Sequence, residues 1–235
     1  KACRRACAEG RSEGVWNLTA EAICDSIRRM KGAIAACHSF VLCGGFSAGD
    51  EPDGSGKFIA NVLNNKDISE EIHRLLDRGG LILGICNGVQ GLVKAGLLPY
   101  GRLGLVTKES PTLFRNDINR QVSQIVSTRG ATTNSPWLSS FSVGDIHSIA
   151  VSHGEGKFVV NEPLARELFE NGQVAFQYVD AEGRVTAEAP YNPNGSDNAV
   201  EGIVNRDGEI TGQLGQPARY RGNPLQNHTG RHGKD

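Results

Sequence analysis

The chain has 235 residues, with 25 Lys+Arg against 26 Asp+Glu for a formal net charge of −1. That length can bury a sizeable core, and the near-neutral balance excludes a nucleic-acid binder driven by bulk charge, which needs a clustered basic excess. No apolar run reaches the roughly 18 residues of a membrane span, and the start, Lys1-Ala2-Cys3-Arg4-Arg5, has no initiator Met and no apolar signal region. The expectation is a cytoplasmic protein with neither a nucleic-acid nor a membrane partner.

Taken in chain order, Val15-Trp16-Asn17-Leu18 reads as a short strand. Thr19 then caps a helix whose apolar positions Ala22, Ile23, Ile27 and Met30 recur at helical spacing. Ser39 to Cys43 is a short apolar run ending at Gly44-Gly45, the pattern of a buried parallel strand. Asp67 to Asp77 is the clearest helix, with Asp67 and Glu70 as a capping box and Ile68, Ile72, Leu75 and Leu76 on one face. Gly79-Gly80 ends it. Leu81 to Ile85 is a second buried strand, and a helix from about Asn87 to Ala95 follows.

This alternation predicts an α/β parallel sheet whose functional edge lies where strands end and helices begin. Beyond about Leu103 the pattern turns strand-rich. Short strands are predicted at Ser123–Val126, Ile146–Val151, Phe158–Val160, Val174–Val179, Val185–Ala187, Ala199–Val204 and Glu209–Gly212, with one helix at about Pro163–Glu170. Asp180–Gly183 and Asn205–Gly208 are hairpin-type turns. The boundaries expected are one domain over residues 1–220 and a polar tail over 221–235.

Glycine is the outlier, 30 residues of 235, nearly twice its usual share. The most informative cluster is Gly84-Ile85-Cys86-Asn87-Gly88-Val89-Gln90. A cysteine stands between a buried strand and a helix, with glycines two positions to either side. This is the spacing of a nucleophile elbow with Cys in place of Ser. The helix start behind it favours a thiolate, and the Asn87 N–H can help to bind an oxyanion. Gly44-Gly45 can add backbone N–H groups at the same edge. Ser152-His153-Gly154-Glu155-Gly156 offers a histidine and a carboxylate.

Other signals are weak. Asp53-Gly54-Ser55-Gly56-Lys57 resembles a phosphate loop but lacks Gly at position 51 and Ser or Thr at position 58. The six cysteines, Cys3, Cys7, Cys24, Cys37, Cys43 and Cys86, are irregularly spaced and predict neither a disulfide framework nor a metal site.

Four segments occur in one order: Gly-Gly-Phe-Ser-Ala-Gly-Asp at 44–50, Gly-Ile-Cys-Asn-Gly-Val-Gln at 84–90, Ser-His-Gly-Glu-Gly-Lys-Phe at 152–158 and Tyr-Asn-Pro-Asn-Gly-Ser at 191–196. From about Val15 to Tyr220 the chain resembles the glutaminase domain of phosphoribosylformylglycinamidine synthase, a class I (triad) glutamine amidotransferase. The resemblance implies a flavodoxin-like sheet with helices on both faces. It implies hydrolysis of glutamine through a cysteinyl thioester, with ammonia passed to a synthetase domain that uses ATP and magnesium. No cofactor is implied in the glutaminase part itself. By resemblance Cys86 is the nucleophile, Gly45 and Asn87 supply the oxyanion hole, Gln90 lines the glutamine pocket, and His153 lies at the substrate side.

Two departures stand out. The family completes its triad with Gly-His-Pro-Glu-Arg, whereas this chain has Gly215-Gln216-Pro217-Ala218-Arg219. Gln216 takes the place of the base and Ala218 that of the orienting carboxylate. The family also opens with an apolar central strand, and Lys1–Gly10 reads instead as the tail of the helix that follows it, so that strand is expected to be missing. A degenerate domain that binds glutamine without turning it over is the alternative reading. A different cysteine-elbow α/β protein, such as a thiol peptidase, is a third.

Overall fold

The computed structural model describes residues 19–45 and 56–217. The segments predicted as a helix tail at 1–10 and a strand at 15–18, most of the phosphate-loop-like segment, Ala218 and the polar tail lie outside them.

Helix α1 (Ala20–Ala36) starts where Thr19 Oγ1 accepts the Ala22 N–H at 3.3 Å, as predicted. Its inward face differs from the prediction. Ile34 is buried, whereas Ile23 and Met30 are exposed. Strand β1 (Ser39–Leu42) follows. A helix not anticipated, α2 (Lys57–Leu63), precedes α3 (Lys66–Asp77). The cap of α3 is Asn65, whose side chain accepts the Asp67 N–H, in place of Asp67 itself. Asp67 instead pairs with Lys31 of α1 at 2.8 Å. The next residues form β2 (Leu81–Ile85) and α4 (Asn87–Ala95).

The later strands are β3 (Thr112–Phe114), β4 (Val122–Gly130), β5 (Ile146–His153) and β6 (Lys157–Val159). After helix α5 (Glu162–Glu170) come β7 (Val174–Val179), β8 (Val200–Val204) and β9 (Ile210–Gln213). The predicted strand at 185–187 reduces to one isolated bridge between Val179 and Val185.

Seven strands make one sheet in the order β1-β2-β9-β8-β7-β4-β5, and β3 and β6 pair separately. β1, β2 and β9 run parallel, and every pairing from β9 to β5 is antiparallel. The strand-rich second half therefore joins the parallel part edge to edge. The sheet curls enough for its far strand to meet the segment that follows β9, since the Gln216 N–H donates to the Ala150 carbonyl of β5 at 2.9 Å.

One core cluster holds Ile34 of α1, Ile72 and Leu75 of α3, Ile82 of β2 and Leu92 of α4. A fully buried aliphatic side chain of this kind contributes about 1.5–3 kcal/mol. The core therefore anchors the end of β2 and the start of α4, where the chemistry lies.

Candidate active site

Cys86 sits between β2 and α4 with φ 51° and ψ −112°. For a residue with a Cβ this conformation is strained, and it persists because both neighbours along the chain are locked. A Cβ on Gly88 would lie 2.1 Å from the Leu42 carbonyl oxygen, and one on Gly84 would lie 2.9 Å from the Val89 nitrogen. Only hydrogen fits at either place. The turn is thus as tight as the Gly-x-Cys-x-Gly spacing predicts.

The Cys86 N–H donates to the Gln213 carbonyl, and its own carbonyl accepts from the Val89 and Gln90 N–H groups. The Asn87 and Gly88 N–H groups are left at the open start of α4, which is where a helix presents unpaired donors. Gly44 packs against the cysteine, since a Cβ there would be 3.1 Å from Cys86 Cβ. Asn87 Nδ2 donates to the Gly45 carbonyl at 2.9 Å, and Asn87 Oδ1 is buried with no partner among the described residues. The structure so brings Gly45, Cys86 and Asn87 together. Gln90 is buried beside them, and its Nε2 donates to the Glu155 carbonyl. This ties α4 to the 152–156 segment.

Gln216 arrives from the loop after β9. Its Nε2 donates to the Ser152 carbonyl at 3.3 Å, and Cys86 Sγ lies 3.7 Å from that same oxygen. Position 216 therefore neighbours the thiol. Its amide can donate or accept a hydrogen bond but cannot carry a proton near neutral pH. Ala218 is outside the described residues.

His153 is elsewhere in the polar core. It closes β5, is 3% exposed, and its Nε2 meets Asn194 Nδ2 at 3.1 Å. That amide also donates to the Tyr178 hydroxyl at 3.1 Å. Since the amide nitrogen donates, His153 Nε2 accepts and the proton sits on Nδ1, which has no partner among the described residues. Burial pushes the imidazole down to about 4. Asn116 Nδ2 holds the His153 carbonyl, and its Oδ1 takes the Gly156 N–H. His153 is thus packed as a structural hydrogen-bonder of the 152–156 and 191–196 segments.

Three participants were not singled out in the sequence: the Ser152 carbonyl, Tyr178 and Glu201. Tyr178 is fully buried, and its hydroxyl is held well above its ordinary range by burial and then by the charges of Glu201 and Cys86. Glu201 is pushed up to about 7 by burial. The signal for Glu201 was present as a lone charge inside the run Val200-Glu201-Gly202-Ile203-Val204. No group of three or more His, Cys, Asp or Glu among the described residues could hold a metal ion, and no described helix is long and apolar enough to cross a membrane.

A cysteine elbow on a mixed sheet, with backbone donors beside the thiol, is the arrangement of a class I glutamine amidotransferase. The chain belongs to that family, the CobB/CobQ-like glutamine amidotransferase domain, whose model matches residues 2–234.

Within it the similarity runs to phosphoribosylformylglycinamidine synthase subunit PurQ. The PurQ of Gloeobacter violaceus is 34% identical over 183 residues, covering 78% of this chain and 71% of that protein. The PurQ of Methanosarcina mazei is 36% identical over 191 residues, covering 81% and 75%. The structure of PurLQS from Thermotoga maritima superposes with a TM-score of 0.57 at 27% identity, covering 77% of this chain and 69% of that one.

Proposed function

We propose that this chain is the glutaminase component of a phosphoribosylformylglycinamidine synthase, with Cys86 as nucleophile. The observation that carries the assignment is the strained Cys86 elbow, packed against Gly44 at the start of α4. The Cys86 sulfur attacks the side-chain amide carbon of glutamine, and the carbonyl oxygen takes the negative charge. The Asn87 N–H and the backbone at Gly45 stabilise that oxyanion. The carbon–nitrogen bond then breaks, the nitrogen takes up the proton that the Cys86 thiol gave up and leaves as ammonia, and a γ-glutamyl thioester remains. Water cleaves the thioester to glutamate and restores the thiol.

Gln90 shapes the glutamine side of the pocket through its bond to the Glu155 carbonyl. The ammonia passes to a synthetase partner, as the similarity to PurQ and to a PurLQS structure supports. ATP and magnesium belong to that partner, the glutaminase component needs no cofactor, and the compartment is the cytoplasm. Gln216 beside the thiol favours one variation, in which glutamine is bound and turned over slowly.

The test is covalent labelling by a diazo-ketone analogue of glutamine, read by peptide mass spectrometry. Cys86 should be modified ahead of Cys24, Cys37 and Cys43. Equal modification of these cysteines in the folded protein sinks the assignment.

A further inference from the structure

Strand β8 carries a carboxyl where an apolar side chain belongs. Glu201 is 3% exposed. Pairing between β7 and β8 is irregular there: Phe176 opposes Gly202 and Gln177 opposes Val200, which leaves Glu201 as the extra residue of a bulge. Bulges of this kind re-aim a side chain next to active sites. The carboxyl is aimed at the loop after β9, where Oε1 accepts the Gly215 N–H. The loop sits tightly on it, since a Cβ on Gly215 would lie 3.0 Å from Glu201 Oε1 and 2.4 Å from Ile149 Cδ1. The same loop receives the Cys86 N–H at Gln213 and delivers Gln216 to the Ser152 carbonyl beside the thiol.

We propose that Glu201 is a positioning residue for the Cys86 site: its buried carboxyl holds the 213–216 loop through the Gly215 N–H and so sets where the Gln216 amide stands relative to the thiol. This rests on Cys86 being the nucleophile.

The hold depends on charge. An ionised carboxylate is a much stronger acceptor than a neutral carboxyl, and burial places this group's titration at about 7. The titratable groups around it are Tyr178 on β7 and, beyond Tyr178, Cys86 on the elbow and His153 at the end of β5. Residues 214–217 contribute none, and no lysine or arginine pairs with Glu201 among the described residues. Glu201 therefore switches the strength of its grip on Gly215 across neutral pH, and Gln216 transmits the change.

Two measurements on the full chain test this. In protein labelled with ¹⁵N-glycine, the Gly215 amide signal should titrate with a midpoint near 7, and the titration should vanish in Glu201→Gln, which keeps an acceptor but not a charge. The second is the alkylation rate of Cys86 by iodoacetamide between pH 6 and 8. The ratio of the wild-type rate to that of Glu201→Gln should change about fivefold across the same midpoint, as expected when a charge-assisted bond of roughly twice the strength replaces a neutral one. The corresponding ratio in a Gln216→Ala background should be flat.

A Gly215 amide that does not titrate overturns the proposal. So does a step that survives in Gln216→Ala, because the charge would then act on the thiol directly. If Cys86 is no more reactive than Cys24, the nucleophile assignment fails, and the positioning role falls with it even where Gly215 titrates.

Discussion

The sharpest functional question is what moves the proton. Gln216 Nε2 stands 3.3 Å from the Ser152 carbonyl that Cys86 Sγ meets at 3.7 Å. A histidine at 216 would place its own Nε2 the same number of bonds from Cα, so the ring reaches the region the amide now occupies. General acid–base assistance is worth about 10²–10⁴-fold, or roughly 3–5 kcal/mol of barrier. Protonation of the departing ammonia is the step most exposed, because a thiolate can attack unaided but an amide nitrogen leaves poorly without a proton. Gln216→His with Ala218→Glu should raise glutamine turnover by a large part of that factor. Gln216→His alone should recover less, since nothing then orients the ring. The assay is glutamate formation at saturating glutamine, followed from pH 5.5 to 8.5. The imidazole must be neutral to take the thiol proton that it later gives to the departing ammonia, so the double variant should gain activity as pH rises through the ordinary imidazole range near 6.5. If the unsubstituted chain already turns over glutamine as fast as the double variant, a base other than position 216 operates and the reasoning is wrong.

The elbow and the buried ionisable groups yield two further tests. Gly88→Ala puts a methyl group 2.1 Å from the Leu42 carbonyl oxygen and should lower stability by at least about 1–3 kcal/mol. Gly32→Ala, with open space at its Cβ in α1, should raise stability by about 0.5–1 kcal/mol; thermal melts of both check the contrast. Glu201 titrates at about 7 when folded against an ordinary 4.5, so the native state holds the extra proton between those values. Its burial cost is absent below pH 4.5, grows as pH rises and is complete above 7, at about 3 kcal/mol. Glu201→Gln should therefore raise the melting temperature at pH 8 and leave it unchanged at pH 4; a gain of equal size at both pH values refutes the assignment of the titration.

The elements legible in the chain alone were those with local causes. The 3.6-residue repeat of Ile68, Ile72 and Leu75 marked α3, and the run Leu81–Ile85 marked β2, because burial imposes those periods directly on neighbouring residues. Gly84 and Gly88 around Cys86 announced the elbow, since a backbone approach that close admits no side chain. The short-range signals misled where an adjacent residue competed. Asn65 caps α3 ahead of Asp67, and Ile23 and Met30 follow helical spacing yet stay exposed because α1 is covered elsewhere.

Tertiary structure alone decided how distant segments meet. No local pattern shows that β9 pairs in parallel with β2, or that the sheet curls to bring Ser152 onto Cys86. Those outcomes depend on pairings between residues more than sixty positions apart, where the hydrogen-bonding of each strand is satisfied equally well by several partners. The same holds for His153 and Glu201. In sequence the resemblance placed the histidine at the substrate side, and the glutamate was passed over. Folding closed His153 into a bond with Asn194 and buried Glu201 under the loop that carries Gln216.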